Sequence, residues 1–212
     1  MDFEVVQTLL NEKRGLDLEE YPRQAMLEDG TWVTVRPMVQ EDEQGLLKFF
    51  GSLPEEERLY FNDNIIDPDV IKNWAENIDY DKVLPILAIV EDKIVGDCTL
   101  HRYPNWSWMK NTGHIAISVS PKYRKNNLTK ILASEVFCQS LTTNLERVVV
   151  ELVPDREDVR EVFIQLGFCK EAVLEDKHLD VTGGKHDLLI MDADFALLWK
   201  GWMEHYDLAS GA

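Results

Sequence analysis

Apolar residues recur along the chain at two spacings, and the change from one to the other marks out its elements. TWVTVR (31–36) alternates apolar and polar residues as a half-buried strand does, and Pro37 ends it. EDEQGLLKFFGSL then places Leu46, Phe49, Phe50 and Leu53 on one helix face, with acids at its start where the helix dipole favours them. DPDVIKNWAENI predicts a second helix, with Asp67 as N-cap, Pro68 in the first turn, and Val70, Ile71, Trp74 and Ile78 on one side. PILAIV and IVGDCTL read as a hairpin joined by the three-residue polar turn EDK. After the loop HRYPNWSWMKNTG, HIAISVS is a strand, and NLTKILASEVFCQSL is a helix with Leu128, Ile131, Leu132 and Val136 inward.

RVVVELV predicts another core strand, and PDREDVREVFIQL a helix carrying Val159, Val162, Phe163 and Leu166 on its face, capped by Gly167. FCKEAVL and HDLLIMD follow as two strands around Gly183 and Gly184. Phe3, Val6 and Leu10 suggest a short N-terminal helix, joined by a polar link from Gly15 to Gly30. At the other end Phe195, Leu198, Trp199, Trp202, Met203 and Tyr206 line one side of a closing helix. So large an apolar stripe predicts packing on the sheet or, in a homodimer, on a second subunit.

The order is one strand, two helices, three strands, helix, strand, helix and two strands, with a helix added at each end. It predicts one α/β domain, because 212 residues bury one core well and two poorly. Met1 is followed by Asp2 and Glu4 rather than by a basic and then apolar leader, and no apolar run is long enough to span a bilayer. The expected location is the cytoplasm. Cys98, Cys138 and Cys169 are odd in number, distant in sequence and set inside core-like segments, which predicts buried reduced thiols. The five histidines form no HxxxH or HxH pair and stand beside no CxxC, so no metal is expected.

A net charge of −17 opposes binding to nucleic acid or to an anionic membrane and favours a cationic or neutral partner. One segment departs from this balance. No Asp or Glu lies between Asp97 and Glu135, where an even spread would place about seven, yet Arg102, Lys110, Lys122, Arg124, Lys125 and Lys130 all do. Two readings stand: an anion site, or buried strands that exclude acids in any case.

Four stretches in this order carry a resemblance to a known family. IVGDCTL, HIAISVSPKYRKNNLTKILASEVF, FIQLGF and KHDLLIM resemble the later strands and cofactor segment of the GNAT superfamily of acyl-CoA dependent N-acyltransferases. LEDGTWVTVRPMVQEDEQGLLKFFGSLPEEERLYF is similar to the opening strand and helix of the GNAT domain in bacterial protein-lysine acetyltransferases. The resemblance covers roughly residues 30–194, leaving 1–29 as helix and link and 195–212 as a helix packed on the same domain. It implies a mixed, mostly antiparallel central sheet of about six or seven strands flanked by helices, with acetyl-CoA as co-substrate.

In that fold HIAISVS and RVVVELV would splay apart, so that the pantetheine arm pairs with the freed strand edge while the pyrophosphate meets the next helix N-terminus. The resemblance then assigns Ser118, Val119 and Ser120 to the thioester, with a backbone N–H as oxyanion donor. It assigns Arg124, Lys125, Asn126, Asn127, Leu128, Thr129 and Lys130 to the phosphates. The family's two glycine places here hold Asn127, which tolerates a left-handed backbone, and Thr129, whose Cβ fills space and whose hydroxyl can donate. Phe163 stands where many members have a proton-giving Tyr, and His114 where the lysine-acetylating branch often has Glu.

His114 therefore reads as a general base or as a satisfied strand-end histidine, and Glu151 as a proton relay or a solvated charge. Tyr103 and Trp106, with Trp108, line an acceptor pocket or simply pack their own hairpin loop. The expected activity is transfer of acetyl to a primary amine, on a small molecule or a protein lysine, by direct attack. The alternative is a catalytically impaired GNAT-fold module that binds CoA or a protein partner without turnover.

Overall fold

The computed structural model describes residues 18–58, 60–61, 63–104, 107, 109–180, 183–198 and 200. The expected N-terminal helix lies outside these residues, as do Trp106, Trp108 and most of the closing helix.

Eight strands form one mixed sheet: β1 (Arg23–Met26), β2 (Trp32–Pro37), β3 (Val83–Val90), β4 (Lys93–Arg102), β5 (Thr112–Val119), β6 (Arg147–Leu152), β7 (Cys169–Leu179) and β8 (Lys185–Asp194). They lie in the order β1-β2-β3-β4-β5-β6-β8-β7. Every neighbouring pair is antiparallel except β5 and β6. The count exceeds the expected six or seven because the supposed polar link contains β1, an edge strand of four residues with alternate residues exposed. The β3–β4 turn is also shorter than expected. Glu91 and Asp92 alone form it, both left-handed at φ 48° and 59°, and Lys93 already belongs to β4. Two left-handed residues match the right-handed twist of a hairpin.

The helices are α1 (Glu43–Ser52), α2 (Glu55–Arg58), α3 (Pro68–Glu76), α4 (Leu128–Leu141) and α5 (Glu157–Gln165). The Asp67 side chain accepts from the Asp69 N–H and starts α3, as its sequence predicts. Gly167, at φ 92°, stops α5: its N–H donates to Ile164 O and that of Phe168 to Phe163 O, both at 2.9 Å. Asp194 Oδ1 accepts from the N–H groups of Ala196 and Leu197, and residues 195–198 turn helical there.

Alternation along the strands gives the sheet two unlike faces. On the back, Ile86, Leu100, Ile115, Val148, Val150 and Met191 meet Leu132, Val136 and Phe137 of α4 and Phe163 of α5 in an apolar core. Each such side chain contributes about 1.5–3 kcal/mol by leaving water. On the front, Leu87 packs with Leu46, Phe49 and Phe50 of α1 and Ile71 and Ala75 of α3. This second core covers only part of the front, and the rest carries polar side chains. Cys98 is buried and Cys138 half-buried, but Cys169 is exposed at the start of β7, against the expectation of three buried thiols. Among the described residues no helix is long and apolar enough to cross a membrane.

Candidate active site

β5 and β6 run parallel and stay paired only from Thr112↔Arg147 to Ile115↔Val150. β5 continues to Val119 and β6 to Leu152, so beyond Ile115 the two strands part. The β5 edge from Ala116 to Val119, including Ser118, thus faces a gap, the place where an extended ligand can add its own hydrogen bonds. Ser120 leaves the strand with its N–H donating to Val95 O at 2.8 Å, and the chain passes through a 3-10 turn, Pro121–Tyr123, toward α4.

Asn127 makes the last turn into α4 at φ 58°, ψ 7°. A left-handed residue is needed there, and Asn supplies it where glycine would be ordinary. The first turn of α4 leaves the N–H groups of Leu128, Thr129 and Lys130 without intrahelical acceptors. Thr129 is only 4% exposed, and its Oγ1 and Asn127 Oδ1 are buried with no hydrogen-bond partner. Lys125 and Lys130 are exposed beside them. These residues fit an anionic group such as a pyrophosphate: N–H donors, an unpaired hydroxyl and two flanking cations. Arg124 is placed differently. Its Nε–H donates to Val119 O at 2.9 Å and its Nη2 to Glu57 Oε2 of α2 at 2.6 Å, and Arg156 also approaches Glu57, at 3.4 Å. Its charge is therefore shared with an acid that sequence reading did not bring near. Asn126 Nδ2 likewise donates to Asp29 Oδ2 at 2.8 Å.

The register places three short ladders on the front of the sheet: Val83–His101–His114, Pro85–Thr99–Ala116 and Leu87–Asp97–Ser118. A cavity of about 490 Å³ lies between them and the helices α1 and α3. Phe50, Tyr60, Phe61 and Trp74 wall it, and Asp97, Thr99 and Ala116 lie on the sheet side. Asp97 is 7% exposed, and the Thr99 hydroxyl donates to its two carboxylate oxygens at 3.1 and 3.2 Å. Burial pushes its pKa up to about 7, the Thr99 bond offsetting only part of that. No cation among the described residues pairs with it.

His114 and Glu151 come together on this same side, with Nε2 and Oε1 3.8 Å apart. Tyr103 stands edge-on to the His114 ring at 6.3 Å. The three lie beside the cavity rather than in its lining; it is His101, the cross-strand neighbour of His114, that lines it. Burial, then the nearby His114, holds the pKa of His101 below the ordinary value. Phe163 is fully buried in the back core, its ring 4.9 Å from that of Phe168 and nearly perpendicular, so no proton donor stands at that position. Asp97 is the residue sequence reading missed. Its one signal was an acid in the middle of IVGDCTL, a strand otherwise read as buried.

Among the described strands the sheet thus parts at its single parallel pair, with α4 beginning beyond the strand that borders the gap and a cavity over the neighbouring strands. Residues 48–168 match the model of the acetyltransferase (GNAT) family, and the chain belongs to that family. Among curated proteins no sequence relative is found. Solved structures similar to it include the GNAT domain of Streptomyces lividans PAT, at 16% identity and TM-score 0.67 over 83% of this chain and 100% of that one. The ribosomal-protein-S5-alanine acetyltransferase of Vibrio fischeri is similar at 16% identity and TM-score 0.67, over 81% and 96%. The yncA protein of Salmonella typhimurium, solved with its cofactor acetyl-CoA, is similar at 14% identity and TM-score 0.64, over 76% and 93%. At these identities the likeness is one of fold.

Proposed function

We propose that the protein is an acetyl-CoA dependent N-acyltransferase that moves an acetyl group onto a primary amine by direct attack. The observation that carries this reading is the parted β5 edge, set between the α4 N-terminus and an acid-containing cavity. When bound, acetyl-CoA supplies an electrophilic thioester carbonyl. The α4 first-turn N–H groups, the Thr129 hydroxyl, Lys125 and Lys130 would hold its phosphates, and the edge at Ser118 and Val119 its extended arm. A new N–C bond replaces the C–S bond, the nitrogen gives up one proton and the departing thiolate takes up one. His114, with Glu151 beside it, is the group assigned to carry the amine's proton to solvent. With Phe163 at the usual donor position, the thiolate takes its proton from water. Acidic cavity walls suit a cationic acceptor, whether a small amine or a lysine side chain.

A second reading, a module that binds CoA without turnover, is favoured by Phe163 and by the Glu57–Arg124 pair. Calorimetric titration of acetyl-CoA at two salt concentrations tests what both readings share. Binding in the micromolar range that weakens with salt, and weakens further in Lys130→Glu, is expected; no binding at either salt would overturn both.

A further inference from the structure

The two cores differ in one respect that bears on the acceptor. The back core packs α4 and α5 on the sheet, whereas the front core leaves a cavity that contains a buried carboxyl with no cation among the described residues. A carboxylate out of water and unpaired is costly, and among the described residues Asp97 has only the Thr99 hydroxyl. What the site lacks is a positive charge. Phe50, Phe61 and Trp74 supply aromatic surface that covers an alkyl chain and attracts an ammonium. Asp63 adds negative charge among the lining residues, and the lining lysine, Lys82, is paired with Asp79 at 2.6 Å, so these two offset each other.

The position of Asp97 matters as much as its charge. It is the direct cross-strand neighbour of Ser118, and Thr99 of Ala116, so the carboxyl stands one strand away from the β5 edge that faces the gap. Residues opposed in this way have Cα atoms about 4.5–5.5 Å apart. An ammonium held there lies beside the edge assigned to the thioester.

We propose that Asp97 is the anchor for the acceptor's ammonium group, and that the acceptor is a primary alkylammonium carried on an apolar stem. This rests on the acyltransferase reading. The same carboxyl takes the first proton, as the ammonium becomes the free amine that attacks: an N–H bond breaks and an O–H bond forms. The second proton, released once the N–C bond has formed, is the one assigned to His114. Burial prepares Asp97 for the first transfer, because it holds the pKa at about 7, where the carboxyl binds and releases a proton near neutrality. Tyr60, Asp63, Asp79, Lys82 and His101 are the other titratable groups lining the cavity. A lysine side chain and a free alkylamine share this chemistry.

The test is calorimetry of hexylamine, Nα-acetyl-lysine methylamide and the neutral isostere hexanol, with and without CoA, into the wild type and Asp97→Asn. The wild type is expected to prefer hexylamine to hexanol by about tenfold or more, the scale of one charge-assisted contact, and the variant to lose that preference. Tighter binding of the lysine derivative points to a peptide-borne acceptor, and tighter binding of hexylamine to a free amine. A preference retained in Asp97→Asn, or no amine binding to the wild type in either condition, overturns the proposal. Without any variant, the Asp97 carboxyl carbon observed by NMR should shift on addition of hexylamine and not of hexanol; an unmoved signal also overturns it. Thiol release from acetyl-CoA that is unchanged in Asp97→Asn would leave the acyltransferase reading standing and remove this one. Amine binding lost in the variant, with no thiol release by the wild type, would leave Asp97 as an ammonium site and remove the acyltransferase reading together with the proton-transfer role.

Discussion

Asp42 and Asp97 are both acids of the front half of the protein, 8% and 7% exposed, and the structure treats them in opposite ways. Asp42 sits at the corner between β2 and α1, where Arg36 reaches it with both guanidinium nitrogens at 2.6 and 2.7 Å and the Val39 N–H donates at 2.8 Å. Burial pushes its pKa up, but these bonds and the Arg36 charge overcome that and hold it below the usual range. Asp97 is as little exposed but lies deeper in the protein, and with one hydroxyl as its partner its pKa is raised, burial being the chief cause. A buried acid with its partner in the chain staples the fold. A buried acid without one marks a place where the partner arrives from outside.

The largest expected effect is on Asp97 itself. Its folded pKa, about 7, lies above the unfolded value, so the native state binds the proton more tightly. Wild-type stability should therefore fall as pH rises from that of an unfolded carboxyl toward 7, and stay reduced above it. Asp97→Asn removes this penalty, giving a gain of up to about 4 kcal/mol at pH 8 that fades toward pH 4, readable by thermal melting. Equal curves for the two proteins would break the comparison.

Arg36→Ala should act in the other direction. It strands Asp42 half-paired and costs about 2–4 kcal/mol at neutral pH, less in acid once Asp42 is protonated, as urea unfolding would reveal. A loss near zero would make the corner a surface pair like any other. Thr99→Val is smaller: loss of the Thr99 hydroxyl donor to Asp97 should raise that carboxyl's pKa further, with a change in stability at neutral pH of about 1–2 kcal/mol. NMR titration of the Asp97 carboxyl would show it. Glu57→Gln is smallest. It releases Arg124 and Arg156 from their shared acid and should tighten acetyl-CoA binding by about threefold at low salt, an effect that added salt erases.

Much of the fold was legible because its signals are local. The Asp67 cap, the left-handed Asn127 and the Gly167 stop each depend on a few adjacent residues. β1 escaped because RQAM is short, edge-exposed and weakly alternating, and the Glu91–Asp92 turn because two acids are an uncommon choice for a left-handed pair. The site was legible only in outline. His114, Glu151 and Tyr103 were named from their strands and loop, and the register brings them together. The Arg124–Glu57 pair joins residues 67 apart, and only the packed fold places α2 against the basic loop. Asp97 was hidden for the same reason. Alternation in IVGDCTL cannot say whether an acid faces water or lies beneath two helices, and that distinction separates a solvated charge from a binding group.

The measurement that tests the account most directly is the reaction of acetyl-CoA with a panel of primary alkylamines and lysine peptides, following free thiol and acetylated amine together. The two are expected in equal amounts, well above the rate in buffer, and Asp97→Asn is expected to lower the rate by about a hundredfold, the scale of a positioned proton acceptor. No thiol release above the buffer rate with any amine would contradict it and leave a GNAT fold that binds without turnover.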